Sequence, residues 1–206
     1  DALADSQAIA VGFTSTADGD KKVFDFPANS VLVKKLEKLF EVDLRDELEF
    51  FSATGKTGEL FEIPVASDQM QADRILLIGL GDATTQSLRQ AGATLGRRGR
   101  GKATVISSIC VSAHEQLKAF AISAQLGAYV WTQKTGATQE LPQFIFATDK
   151  PEIIDDASVI ASAISRTRDL IHTPSNIKTP LWMADEAQKI AVENGLEIKI
   201  LAGKEL

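Results

Sequence analysis

The run Ile75-Leu76-Leu77-Ile78, closed by Gly79-Leu80-Gly81, constrains the fold more than any other stretch. Four consecutive aliphatic side chains leave a strand no face for water, so both of its faces must be covered. Helical spacing follows at once, with Thr84 or Thr85 as the cap and Leu88, Ala91 and Leu95 turned inward. The same rhythm recurs along the chain. Residues 7–13 read as a buried strand ended by the polar loop 14–22, and Val23 to Phe26 as a second strand stopped by Pro27. Asn29 or Ser30 then caps a helix carrying Leu32, Leu36, Leu39 and Phe40, and residues 59–65 form another strand. Residues 103–111 read as a strand and 113–131 as a helix with Leu117, Phe120, Ala121, Ala124, Ala128 and Trp131 on one stripe. Residues 143–147 follow as a short strand. Strands alternating with helices predict an α/β fold with helices on both faces of the sheet. The first strands lack a crossover helix between them, so the sheet is expected to be mixed.

From Pro151 the texture changes. Ile153, Ala157, Ile160, Ile164 and Ile171 repeat at helical spacing to His172, and a turn with Pro174, Ser175 and Asn176 follows. Thr179-Pro180 opens another helix, with Met183, Ala187, Ile190 and Ala191 inward and Asn194-Gly195 as its C-cap. Residues 196–201 alternate as a strand, and residues 203–206 begin a new element. A lone strand is not a stable sheet. This one either joins the first sheet at its edge or belongs to a second α/β domain of which the chain holds only the first βα unit. The expected division is a first α/β domain over 1–150, a linker helix over 151–173, and the start of another domain over 174–206.

Composition enters mainly through what it excludes. With 44% hydrophobic and 24% charged residues the chain is globular in make-up. The net charge of −6 divides evenly: 16 basic and 19 acidic groups in 1–150, and 6 and 9 in 151–206, give −3 each. Neither part is a basic module built to neutralise phosphates. Cys110 is the single cysteine and reads as a small buried hydrophobe, so no intrachain disulfide is expected. No apolar run approaches the roughly 18 residues that span a bilayer. Residues 1–10 lack the features of a signal peptide, and a start at Asp1 rather than Met suggests a trimmed beginning. The expected location is the cytoplasm.

Several short motifs imitate chemistry. Gly79-Leu80-Gly81 sits where a dinucleotide turn would, but Thr84 stands at the place of the third glycine. Gly55-Lys56-Thr57 imitates the end of a phosphate loop, but Phe50 occupies the partner glycine's place. His114 and His172 have no metal-ligand spacing to other donors. Asp43, Asp46, Glu47 and Glu49 are interrupted by Arg45 and follow Lys34, Lys35 and Lys38, as on a solvated helical face. Arg97, Arg98, Arg100 and Lys102, interleaved with Gly96, Gly99 and Gly101, form either a flexible basic loop that holds phosphate or nucleic acid, or a helix C-terminus with cations matched to its dipole.

Four stretches in order resemble the amino-terminal part of leucyl (cytosol) aminopeptidases. They are Gly55-Lys56-Thr57-Gly58-Glu59 leading to Pro64; Arg74 through Gly81; Leu126-Gly127-Ala128-Tyr129-Val130-Trp131 with Lys134; and Arg168-Asp169-Leu170-Ile171-His172-Thr173-Pro174-Ser175-Asn176 with Thr179-Pro180 and Ala184. The family usually has Asn where this chain has His172, so no side-chain role is carried to that turn. The resemblance implies an amino-terminal domain similar to macro domains, a connecting helix, and a carboxy-terminal peptidase domain. In that family the peptidase domain holds two divalent metals (zinc, manganese or magnesium), and the enzymes form hexamers that release N-terminal residues from peptides. Its ligand segment, Asn-Thr-Asp-Ala-Glu-Gly-Arg, does not occur in these 206 residues. No catalytic, cofactor-binding or metal-binding residue is therefore assigned here, and the region is expected to serve folding and oligomer assembly. Two other classes stay open: a macro-like module for ADP-ribose or a related nucleotide, and a DNA-binding regulatory domain.

Overall fold

The computed structural model describes residues 5–19, 21–27, 29–109, 113–133 and 141–201. It divides into two compact units, Asp1–Ser165 and Arg166–Leu206. Cys110, Lys134 and residues 203–206, singled out above, lie outside the described residues.

In the first unit the chain runs through β1 (Ala8–Asp18), β2 (Lys21–Asp25), α1 (Ser30–Phe40), α2 (Leu44–Phe50), β3 (Leu60–Pro64) and β4 (Arg74–Gly79). It continues through α3 (Thr85–Gly99), β5 (Thr104–Ser107), α4 (His114–Ala128) and β6 (Gln143–Phe146). The six strands form one sheet in the order β3-β4-β1-β5-β6, with β2 paired to β1 beside that path. β1 runs parallel to both β4 and β5, and β5 parallel to β6, whereas β2 and β3 are antiparallel to their neighbours. The sheet is mixed, as expected.

Alternation along the strands explains the layers. Ile9, Val11 and Phe13 of β1 and Ile75 and Leu77 of β4 share a core with Val33 and Leu36 of α1 and Leu44 and Leu48 of α2. The intervening Ala8, Ala10, Leu76 and Ile78 share the opposite core with Leu88, Ala91 and Leu95 of α3 and Phe120 and Ala124 of α4. Each pair of helices thus covers one face of the same aliphatic strands.

Several expectations need correction. Residues 14–18 are not a loop: β1 continues to Asp18 and forms a hairpin with β2, turning at Gly19 with φ +60°. Strand pairing satisfies the backbone there, so the side chains are free to be polar and exposed. In α1 the fully buried positions are Val33 and Leu36, while Leu32, Leu39 and Phe40 are half-buried. Asn29 stands at its N-cap without a side-chain capping bond, and its buried Nδ2 has no partner. β5 is shorter than the apolar run, though the Ser108 N–H still donates to the Ala10 carbonyl. α4 ends at Ala128, leaving Trp131 outside it, because Tyr129 turns extended.

α5 (Pro151–His172) carries buried Ile153, Ala157 and Ala161, whereas Ile160, Ile164 and Ile171 are exposed. Within the second unit, α6 (Pro180–Glu193) begins at Thr179, whose hydroxyl accepts from the Trp182 N–H. Of its expected inner face only Ala191 is buried. Residues 196–201 form no strand: they have no ladder partner, and Leu196, Ile198, Ile200 and Leu201 are exposed.

Candidate functional site

In a sheet of this kind ligands gather where neighbouring parallel strands diverge, beyond their carboxyl ends. Here β1 lies between β4 and β5. The turn after β4 and the loop before β3 meet at the end of β4. The Gly58 N–H donates to the Gly79 carbonyl at 2.8 Å, the Gly79 N–H to the Glu59 carbonyl at 2.8 Å, and the Gly81 N–H to the Gly55 carbonyl at 3.1 Å. A Cβ on Gly79 would collide with the Lys56 carbonyl oxygen, and one on Gly81 with the Thr57 hydroxyl. The glycines of both motifs therefore let two backbones touch each other.

The donors of this loop already have an anion. The Glu59 carboxylate accepts from the Thr54 N–H at 2.9 Å, the Gly55 N–H at 2.8 Å and the Thr54 hydroxyl at 3.1 Å. The Ser15 hydroxyl holds the Thr54 carbonyl at 2.7 Å. At the start of α3 the Asp82 carboxylate accepts from the Thr84 N–H at 3.2 Å, the Thr84 hydroxyl at 3.0 Å, and the Ser87 hydroxyl. The Ser87 hydroxyl first, and then the Thr84 N–H and hydroxyl, hold the Asp82 carboxyl below the usual carboxylate range. A depressed folded-state value means that this cap is in place at neutral pH and is lost as pH falls through the folded value. Two positions suited to a phosphate, a glycine loop and a helix N-terminus, are each filled by a carboxylate of the chain itself.

The basic stretch is not a flexible loop. Gly96 and Gly99 are helical and buried, and all four cations are engaged. Arg98 pairs with Glu62, Lys102 with Asp73 at 2.9 Å, and Arg97 donates to the Thr94 hydroxyl at 3.2 Å. Arg100 donates to the Gly127 carbonyl at 2.7 Å and the Tyr129 carbonyl at 3.0 Å, closing the end of α4. Arg74, by hydrogen bonding, is the main reason the Asp73 carboxyl lies below its ordinary value, with Lys102 adding to it.

The acidic stretch also has a structural role: Asp43 caps α2, accepting from the N–H groups of Arg45 and Asp46 at 2.9 and 3.1 Å. His114 opens α4 and His172 closes α5, both exposed. Among the described residues no three His, Cys, Asp or Glu side chains converge on a metal-binding arrangement. The described donors thus do not fit a two-metal centre. The roles of Glu59 and Asp82 were missed by sequence reasoning. For Asp82 a local signal existed, since Asp two residues before Thr84 is an Asx-turn pattern.

Comparison with known proteins now supplies what the geometry alone does not. Residues 22–135, more than half of the chain, match the model of the cytosol aminopeptidase family, N-terminal domain. A probable cytosol aminopeptidase from Solibacter usitatus is 32% identical over 144 residues, covering 64% of this chain and 30% of the relative. One from Rhodococcus opacus is 25% identical over 214 residues, covering 96% of this chain and 40% of the relative. Among solved structures, the bottromycin maturation enzyme BotP superposes with a TM-score of 0.72 at 22% identity, over 97% of this chain and 40% of that one. A mutant of tomato leucine aminopeptidase gives 0.70 at 18% identity, over 93% and 40%. These structural likenesses establish the fold, and the chain spans well under half the length of the relatives it matches. The matched family model and the six-stranded mixed sheet together place the chain in the cytosol aminopeptidase family, with residues 22–135 as its N-terminal domain.

Proposed function

We propose that this chain is the non-catalytic amino-terminal region of a metal-dependent aminopeptidase that removes N-terminal residues from peptides. The observation that carries the reading is the match of residues 22–135 to the N-terminal domain of a peptidase family. In it, residues 1–150 are a macro-like domain, 151–173 a linker helix, and 174–206 the beginning of the peptidase domain. The region serves folding and assembly into a homo-oligomer in the cytoplasm. The names of the relatives support that location, and no helix among the described residues is long and apolar enough to cross a membrane. Two divalent metals of the zinc, manganese or magnesium class would supply Lewis-acid chemistry in the peptidase domain; one solved relative is described in complex with Mn. The described residues offer no donor set for them, so no step is assigned to this chain. The purified chain, supplied with manganese or zinc, is expected to hydrolyse no leucyl amide. Metal-dependent turnover that co-purifies stoichiometrically with it would overturn the reading.

The nucleotide-binding and DNA-binding alternatives both need donors that the structure shows in use. Glu59 fills the glycine loop and Asp82 the start of α3, while Arg97, Arg98, Arg100 and Lys102 hold intramolecular partners. Calorimetric titration with ADP-ribose is expected to give no saturable heat. Binding in the low micromolar range would promote the binding-module reading instead.

A further inference from the structure

Phe50 closes α2 with 80% of its surface exposed, and Phe51 beside it is 42% exposed. They are not loose side chains. Phe50 meets Phe51 edge-on at 5.2 Å, Phe51 stacks on Phe61 at 5.3 Å, Phe61 lies 6.2 Å from Phe13, and Phe13 6.0 Å from Phe24. Phe13 and Phe24 are core residues. A chain of five rings thus leads from the core to the surface and fixes the outer pair in place. Rigid, exposed aromatics are the side chains that anchor protein interfaces, because little freedom is left for binding to remove. Ser52, with φ +55°, turns the backbone immediately after them.

The surroundings indicate the occupant. A cavity of about 370 Å³ adjoins the patch, lined by Lys21, Lys22, Phe24, Glu49, Ser52 and Ala53. Asp46, Glu49 and Phe50, at i, i+3 and i+4 on α2, share one exposed face, and Lys21 is exposed on β2. Both charge signs therefore flank one aromatic anchor, which is the composition a two-fold contact between identical surfaces requires. We infer that the Phe50–Phe51 patch is an isologous contact with a second copy of this chain. Phe50 of each copy enters the cavity beside Phe24 of the other, and Lys21 of each faces Glu49 of the other. The inference rests on the reading that this region serves assembly, and it names the surface.

Sedimentation velocity of the full chain across a concentration series tests it. The wild type should show a reversible dimer, and Phe50→Ser should raise its dissociation constant by roughly thirty-fold with an unchanged thermal melt. Lys21→Glu and Glu49→Lys should each weaken the dimer, and the K21E/E49K double variant should restore it. Leu181→Glu, on the exposed apolar face of α6, serves as the control and should leave it unchanged. A dimer lost in L181E but kept in F50S overturns this surface while leaving assembly standing. A wild-type chain that is monomeric throughout overturns both.

Discussion

Gly96→Leu is expected to unfold the Asp1–Ser165 unit or lower its stability by about 3 kcal/mol or more. α3 and α4 approach through glycine rather than through interlocking side chains. A Cβ on Gly96 would meet the Ala124 carbonyl oxygen, the Ala128 nitrogen at 2.7 Å and the Gly127 Cα at 2.7 Å. One on Gly92 would meet the Phe120 carbonyl oxygen, and one on Gly127 would lie 3.0 Å from the Ala93 Cα. Most of these are backbone atoms of a neighbouring helix, so no rotamer change relieves the clash. Separating the helices would loosen the core in which Leu88, Ala91, Leu95, Phe120 and Ala124 lie. Alanine is the informative intermediate. Its better helix propensity favours the variant by about 1 kcal/mol, while overpacking opposes it by about 1–3 kcal/mol. The net change for Gly96→Ala should be destabilising by about 1 kcal/mol, and for leucine several times that. Urea unfolding followed by circular dichroism measures both. A Gly96→Ala midpoint at or above the wild type would show that α3 and α4 slide apart without cost.

Gly96 also marks where sequence reasoning stops. Glycine alternating with arginine reads locally as a flexible loop, because glycine is a poor helix former. The close approach of α4, which no local pattern reveals, overrides that preference and carries α3 through to Gly99. Where the signal is local the reading is sharp. The aliphatic run of β4, the Thr84 and Thr179 caps, and the start of α5 at Pro151 lie where periodicity and capping chemistry put them. Where a partner decides, the reading fails. Residues 14–18 become strand because β2 pairs with them, and residues 196–201, with an equally good alternation, do not because nothing does. The region near the end of β4 shows the same division. Its glycines were visible as motifs, but the carboxylates that fill it act through hydrogen bonds between loops.

Glu59→Ala is the second large effect, with an expected loss of about 2–3 kcal/mol. The carboxylate is half-buried and serves two backbone N–H groups and one hydroxyl within residues 54 and 55. Gly55, at φ +74°, cannot turn those N–H groups elsewhere without breaking the bond from the Gly81 N–H to its own carbonyl. Removing the acid therefore leaves donors converging on empty space, and water restores only part of what is lost. A specific consequence separates this account from simple loss of packing. The vacated donors should accept an external anion, so sulfate in place of chloride should stabilise the alanine variant more than the wild type. Sulfate's general exclusion effect acts on both proteins and cancels in the difference. Glu59→Gln, which keeps one acceptor oxygen but not the charge, should fall between the two. Thermal melts of the three proteins in matched salts measure this. An alanine variant as stable as the wild type, or one indifferent to sulfate relative to it, would mean that the loop is held by its glycine contacts alone.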